Sequence, residues 1–234
     1  MNVPSESQYK VVGFDLDGTL CDFQNVMRPS LEFTLDKILE KAPECSDFLT
    51  IEKMIEIRNQ VAEENQGKSP NLEEIRLRAF RRTLKHCGIV DEEFAEFLNG
   101  LYLKHRFEDA ILFDGVLSTL ECLRQKYLLC VISNGNSYPR KLGLEKYFEF
   151  IILSQDVGIQ KPDPRIFALA IHKAGCTSNE FLYVGDSQEE DIVGARKADA
   201  HVVWLNRKNE VRRLNIPRPD YEITTLSGLL AILA

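Results

Sequence analysis

Val11-Val12-Gly13-Phe14-Asp15-Leu16-Asp17-Gly18-Thr19-Leu20 reads as an apolar strand that runs straight into two carboxylates spaced i, i+2, then a glycine suited to a turn. Acids at the C-terminal edge of a strand mark where open α/β sheets bind ligands. Asp15 and Asp17 would project from one side of that edge, a costly place for charge unless a cation or substrate meets it. Taken alone, D-x-D-G is also what a solvated turn looks like. Three later stretches decide between the two readings.

Downstream the pattern changes. From about Pro29 to Glu108 the sequence reads as consecutive helices, with Pro29 in a first turn and Leu31, Leu35, Ile38 and Leu39 at helical spacing. A second helix carries Ile51, Met54, Ile55, Ile57 and Val61, and Lys68-Ser69-Pro70 breaks it. Asn71 with Glu74 reads as the cap of a third, which carries Ile75, Ala79 and Leu84 and ends at Gly88. Asp91 opens a fourth, with Glu92 and Glu93 in its first turn. Four helices interrupting an α/β chain predict an inserted all-helical cap over 25–108. The α/β core then takes 1–24 and 109–234.

From Leu112 onward strands and helices alternate, the pattern of a doubly wound parallel sheet covered on both faces. Helix Val116 to Lys126 precedes strand Leu128–Ile132, which ends at Ser133-Asn134-Gly135. Strand Phe150–Leu153 leads to Lys161-Pro162-Asp163-Pro164, where Asp163 caps a helix that Gly175 closes. Phe181–Val184 ends at Gly185-Asp186, His201–Leu205 follows, and Tyr221–Ile223 reads as an edge strand before a last helix.

The net charge of −7, from 36 acids against 29 bases in 234 residues, disfavours nucleic acid and calls for a metal if the substrate is anionic. No apolar run approaches membrane-spanning length and the N-terminus has no signal-like apolar region, so no membrane partner is expected. The six cysteines contain no C-x-x-C pair, which fits reduced thiols in the cytoplasm.

Four strand ends thus carry complementary groups: Asp15 and Asp17, Ser133, Lys161, and Asp186 with Asp191. Several carboxylates make a hard oxygen site for Mg²⁺. A hydroxyl and an ammonium can hold phosphoryl oxygens, and a carboxylate beside the metal can act as nucleophile. In order and spacing, Asp15-Leu16-Asp17-Gly18-Thr19-Leu20, Ile132-Ser133-Asn134-Gly135, Lys161-Pro162-Asp163-Pro164 and Gly185-Asp186-Ser187-Gln188-Glu189-Glu190-Asp191 resemble the haloacid dehalogenase superfamily. The resemblance is to its phosphatase branch, with a helical cap inserted after the first strand of a Rossmann-like core.

That resemblance implies a Mg²⁺-dependent phosphatase of a small phosphorylated metabolite. Asp15 would be the nucleophile and Asp17 the general acid, then base. Asp15, the Asp17 main-chain carbonyl and Asp186 would bind Mg²⁺, with Asp191 supporting them. Ser133, Asn134 and Lys161 would bind the phosphoryl group. The rivals are a phosphomutase with the same residues, a halide-removing hydrolase that lacks the second aspartate, and a non-catalytic binding protein. Glu189 and Glu190 stand where many relatives have Asn, which leaves open which acid supports the metal. Asp199 stands where the following helix often ends in Gly, and should take the left-handed cap position. Arg76, Arg78, Arg81 and Arg82 read as a solvated helix face, Trp204 as packing, and His86, His105, His172 and His201 as structural. The ester and the oligomeric state are left unassigned.

Overall fold

The computed structural model describes residues 8–64, 72–135 and 137–234, less the side chain of Gln24. Residues up to Cys21, together with Leu112–Ala234, form one unit, and Asp22–Ile111 form another. The division therefore falls at Cys21/Asp22 and Ile111/Leu112, against the expected 24/25 and 108/109.

The second unit is helical. Asp22 caps α1 (Phe23–Lys41), its carboxylate accepting the Asn25 N–H at 3.2 Å. This helix starts before Pro29, which lies inside it and not in its first turn as the sequence suggested. The bond that Pro29 cannot donate would go to the exposed Asn25, where water substitutes cheaply. Its buried neighbour Ser30 donates its hydroxyl to the Val26 carbonyl at 2.7 Å. Thr50 caps α2 (Ile51–Glu63) through the Lys53 N–H. The expected Lys68-Ser69-Pro70 break and Asn71 cap lie outside the described residues. α3 (Leu72–His86) ends ahead of Gly88, whose φ is +68°. Asp91 caps α4 (Glu92–Glu108), accepting the Phe94 N–H at 2.9 Å. Helix α1 packs on α4, and α3 on both α2 and α4. They enclose Ile38, Met54, Phe80, Leu84, Leu98 and Tyr102. Arg78, Arg81 and Arg82 make exposed pairs with Glu74, Glu92 and Glu64, as a solvated face should. Arg76 departs from that reading: it is half-buried and lines a cavity.

In the first unit six parallel strands lie in the order β3-β2-β1-β4-β5-β6. They are β1 (Val11–Phe14), β2 (Leu128–Ser133), β3 (Phe150–Leu153), β4 (Phe181–Gly185), β5 (His201–Leu205) and β6 (Tyr221–Ile223). The helices with them are α5 (Val116–Leu123), the single turn α6 (Ser154–Val157), α7 (Pro164–Ala174), α8 (Val193–Lys197) and α9 (Leu229–Ile232). Alternation along the strands sorts the core into two layers. Val12, Phe14, Leu129, Val131, Leu182 and Val184 face α5 and α9, packing with Val116, Leu120 and Leu229. Cys130, Ile132, Phe181, Tyr183, Val202 and Trp204 face the other way, against Ile166, Phe167 and Ala170 of α7 and Ala195 of α8. Each large apolar side chain buried there contributes about 1.5–3 kcal/mol.

Strand β1 is the pivot of this topology. Phe14 is in register with both Val131 of β2 and Val184 of β4, and the chain order runs outward from β1 in both directions. A crevice at the carboxyl ends of β1, β2 and β4 is where such a sheet binds its ligand. Helix α7 is capped as expected, Asp163 accepting the Arg165 N–H at 3.0 Å and Gly175 closing it with φ +65°.

After α8, Asp199 takes φ +55°, the expected left-handed position. Asp199→Val should therefore cost about 1–2 kcal/mol, while Asp199→Gly should cause no loss. Urea denaturation midpoints of the two variants check this, and equal midpoints would contradict it.

Candidate active site

Strand β1 delivers Asp15 to the sheet edge, its N–H bonded to the Val184 carbonyl at 2.9 Å. Asp15 is buried, and so is the ammonium of Lys161, which donates to Asp15 Oδ1 at 2.6 Å. The same ammonium donates to Asp191 Oδ1 at 2.7 Å and to the Tyr183 hydroxyl at 3.0 Å. Burial alone would lower the Lys161 pKa, but Asp15 and Asp191 outweigh it and hold the ammonium well above its ordinary value. Burial also pushes the Asp15 carboxyl well up; Lys161 opposes that shift while Asp191 and Asp186 add to it.

Lys161 is placed by its own main chain. The side-chain amide of Asn134, beyond the end of β2, accepts the Lys161 N–H at 2.7 Å and donates to the Lys161 carbonyl at 2.9 Å. Ser133 is buried at the end of β2, its hydroxyl oxygen accepting the Gly135 N–H at 3.1 Å. Asp17 is half-buried, and the Cys21 thiol lies 3.5 Å from its Oδ1.

Two glycines let these ends approach one another. Gly18 has φ +92°, and a Cβ there would lie 2.5 Å from Asp186 Oδ2. A Cβ on Gly135 would collide with the Asp17 carboxylate. An alanine at Gly18 would displace the Asp186 carboxylate, and one at Gly135 the Asp17 carboxylate.

Asp186 follows β4. Its carboxylate is open to solvent on one side and accepts the Thr19 hydroxyl at 3.3 Å, while the protein packed behind it, then Asp191, raises its pKa to about 6. Carboxylate oxygens of Asp15, Asp186 and Asp191 lie within 4.8 Å of one another. Among the acids of the last motif, Asp191 is thus the one that joins Asp15 and Asp186. Both its oxygens are engaged: Oδ1 by Lys161 and by Tyr183 at 3.3 Å, Oδ2 by the Ser187 N–H at 2.9 Å. Glu189 pairs with Arg213 instead, and burial raises the pKa of Glu190 beside Asn134.

Three contributors escaped the sequence reading. Tyr183 is fully buried in β4, its hydroxyl donating to the Ile132 carbonyl at 3.0 Å while meeting Lys161 and Asp191. The signal was a tyrosine in an otherwise apolar strand, since a buried hydroxyl must find partners. Trp204 packs as expected, but its indole N–H also donates to the Asp186 carbonyl at 3.0 Å. Thr19 belongs to the first motif, where its residue type alone assigns it no role.

A family profile described as haloacid dehalogenase-like hydrolase matches residues 9–199. A glyceraldehyde 3-phosphate phosphatase of Methanothermobacter thermautotrophicus is 27% identical, over 94% of this chain and 96% of its own. A crystal structure of a 2-haloacid dehalogenase from Pseudomonas syringae pv. Tomato DC3000 superposes with TM-score 0.84 at 32% identity, covering 96% of this chain and 98% of that one. The HAD-hydrolase YfnB from Bacillus subtilis, in a crystal form bound to magnesium, gives a TM-score of 0.70 at 25% identity, covering 96% and 98%.

Tyr183→Phe removes one hydroxyl from a buried network and should lower stability by about 1–3 kcal/mol, read from urea unfolding; an unchanged midpoint would show that the network does not depend on it. Asp186 gives a pH test in chelator-treated protein. Its folded pKa, about 6, lies above the ordinary carboxylate value of 3.8, so the folded state binds more protons between the two. Its contribution is present below about pH 4 and lost as pH rises towards 6. Relative to wild type, Asp186→Asn should gain stability across that window. A pH-independent difference would contradict the raised pKa.

Proposed function

The chain belongs to the haloacid dehalogenase-like hydrolases, and on that premise we propose that it is a cytoplasmic, Mg²⁺-dependent phosphatase of a small phosphorylated metabolite. The observation that carries this reading is the buried Asp15–Lys161 pair, 2.6 Å apart, beside Asp186 and Asp191. Three carboxylates face one ammonium there, so the site holds excess negative charge. Their hard oxygens suit Mg²⁺, and a divalent cation would offset the burial and mutual repulsion that raise Asp15 and Asp186. Asp15, Asp186 and the Asp17 main-chain carbonyl would hold the ion. Asp191, with donors on both oxygens, supports that set by fixing Lys161 and the Ser187 turn. When bound, the ion supplies positive charge opposite the phosphoryl oxygens.

Asp15 then acts as nucleophile. One of its carboxylate oxygens bonds to phosphorus as the bond to the ester oxygen breaks, leaving an aspartyl-phosphate. Asp17 gives its proton to the departing oxygen, then takes one from the water that attacks phosphorus, which releases phosphate and restores Asp15. Lys161 orients Asp15 and, with Ser133, holds the phosphoryl oxygens. Asn134 also positions Lys161, its side-chain amide bridging the Lys161 N–H and carbonyl. The helical unit serves as the cap that selects the ester. The named phosphatase relative and the magnesium-bound neighbour support this reading. The dehalogenase at TM-score 0.84 supports a second, halide removal, against which Asp17 counts.

Phosphate release from a panel of phosphorylated metabolites and chloride release from 2-chloropropionate separate the two. Phosphate release that stops with EDTA and returns with Mg²⁺ is expected, and Asp15→Asn should reduce it to background. Asp17→Asn should slow esters of poor leaving groups by about 10²–10⁴-fold, and p-nitrophenyl phosphate less. Chloride release without phosphate release would overturn the reading.

A further inference from the structure

The helical unit contains a cavity of about 240 Å³, bounded by α1, α2, α3 and α4. Its walls are largely apolar, with Phe23, Phe80 and Tyr102 among them, yet three arginines also line it: Arg58, Arg76 and Arg106. Arg106 is only 5% exposed, and its guanidinium lies 4.1 Å from the centre of the Phe23 ring. The guanidinium of Arg76 lies 4.7 Å from the centre of the Tyr102 ring. Rings at their faces hold both cations in place and shield them from water.

Gathering like charges around an apolar cavity is unfavourable. Burial, aided by Arg106 and Arg58 and opposed by Tyr102 and Glu73, lowers the Arg76 pKa to about 10. A pre-positioned guanidinium matches the planar fork of a carboxylate. A monoanion loses less hydration than a phosphate dianion on entering such a place. An apolar cavity of about 150 Å³ takes a benzene ring, so this one has room for a ring and a short acid arm.

We propose that this cavity binds a small amphipathic carboxylate, its acid group held by Arg76 and Arg106 and its apolar body lying against Phe23, Phe80 and Tyr102. The carboxylate is that of a free acid, and the proposal does not rest on the phosphatase reading.

Calorimetric titration of the full-length protein with 3-phenylpropionate tests the site without turnover. The acid should bind at least about tenfold more tightly than 3-phenylpropanol, and Arg76→Met should remove that preference. Arg76→Lys, which keeps the charge and loses the fork, should retain part of it. Equal binding of acid and alcohol would overturn the proposal, as would binding of neither, or of inorganic phosphate in preference to both. The acid–alcohol comparison uses wild-type protein, so it stands even if a variant fails to fold. Absence of phosphatase activity would defeat the functional reading and leave the calorimetric result for the cavity intact.

Discussion

The first unit depends on one buried cation. Lys161, 2% exposed, has its ammonium within 3.0 Å of Asp15, Asp191 and Tyr183. An uncompensated charge at that depth would be expelled or neutralised; three oxygen partners make it tenable. The same bonds fix the distances between groups that arrive from β1, β4, the loop after β3 and the turn after β4. Lys161 also explains why two acids persist under one sheet edge: each is a partner the ammonium requires, and the ammonium limits their repulsion. Removing one member of such a set typically costs several kcal/mol, because the remaining charges stay buried.

The catalytic reading follows from that balance and not from any single residue. Asp15 is held against Lys161 on one oxygen, and Asp186 stands apart at the solvent side with a pKa raised to about 6. A site with more carboxylate than ammonium is poised to take a cation, and a phosphate ester is a substrate that needs one. The cavity of the helical unit has the opposite character. Three arginines border this apolar space, and aromatic rings lie against the guanidinium groups of Arg76 and Arg106. Within a chain of net charge −7, the two units thus present contrasting electrostatic surroundings to small molecules.

Much of this was legible from residues alone. Continuous apolar runs marked the strands, helical spacing marked α2 and α3, and Asp91, Asp163 and Asp199 announced their caps by side-chain chemistry. These signals are local: a capping carboxylate reaches an N–H two or three residues away, and an αL turn asks only that its own residue tolerate positive φ. The start of α1 failed for the same reason, because the preference of Pro for a first turn is local and the actual boundary was set by Asp22.

By itself, then, the sequence determined the order of the elements, the parallel doubly wound class, and the acids and lysine that approach one sheet edge. Only the tertiary structure decided which of them touch. Tyr183 joined the Lys161 network because strand register set its hydroxyl beside the Ile132 carbonyl. Asn134 became a clamp on a loop many residues away, and Arg76 turned from its three surface neighbours towards a cavity. Each outcome depends on side chains that are far apart in sequence meeting in a low-dielectric interior, where an ångström decides whether a charge is compensated.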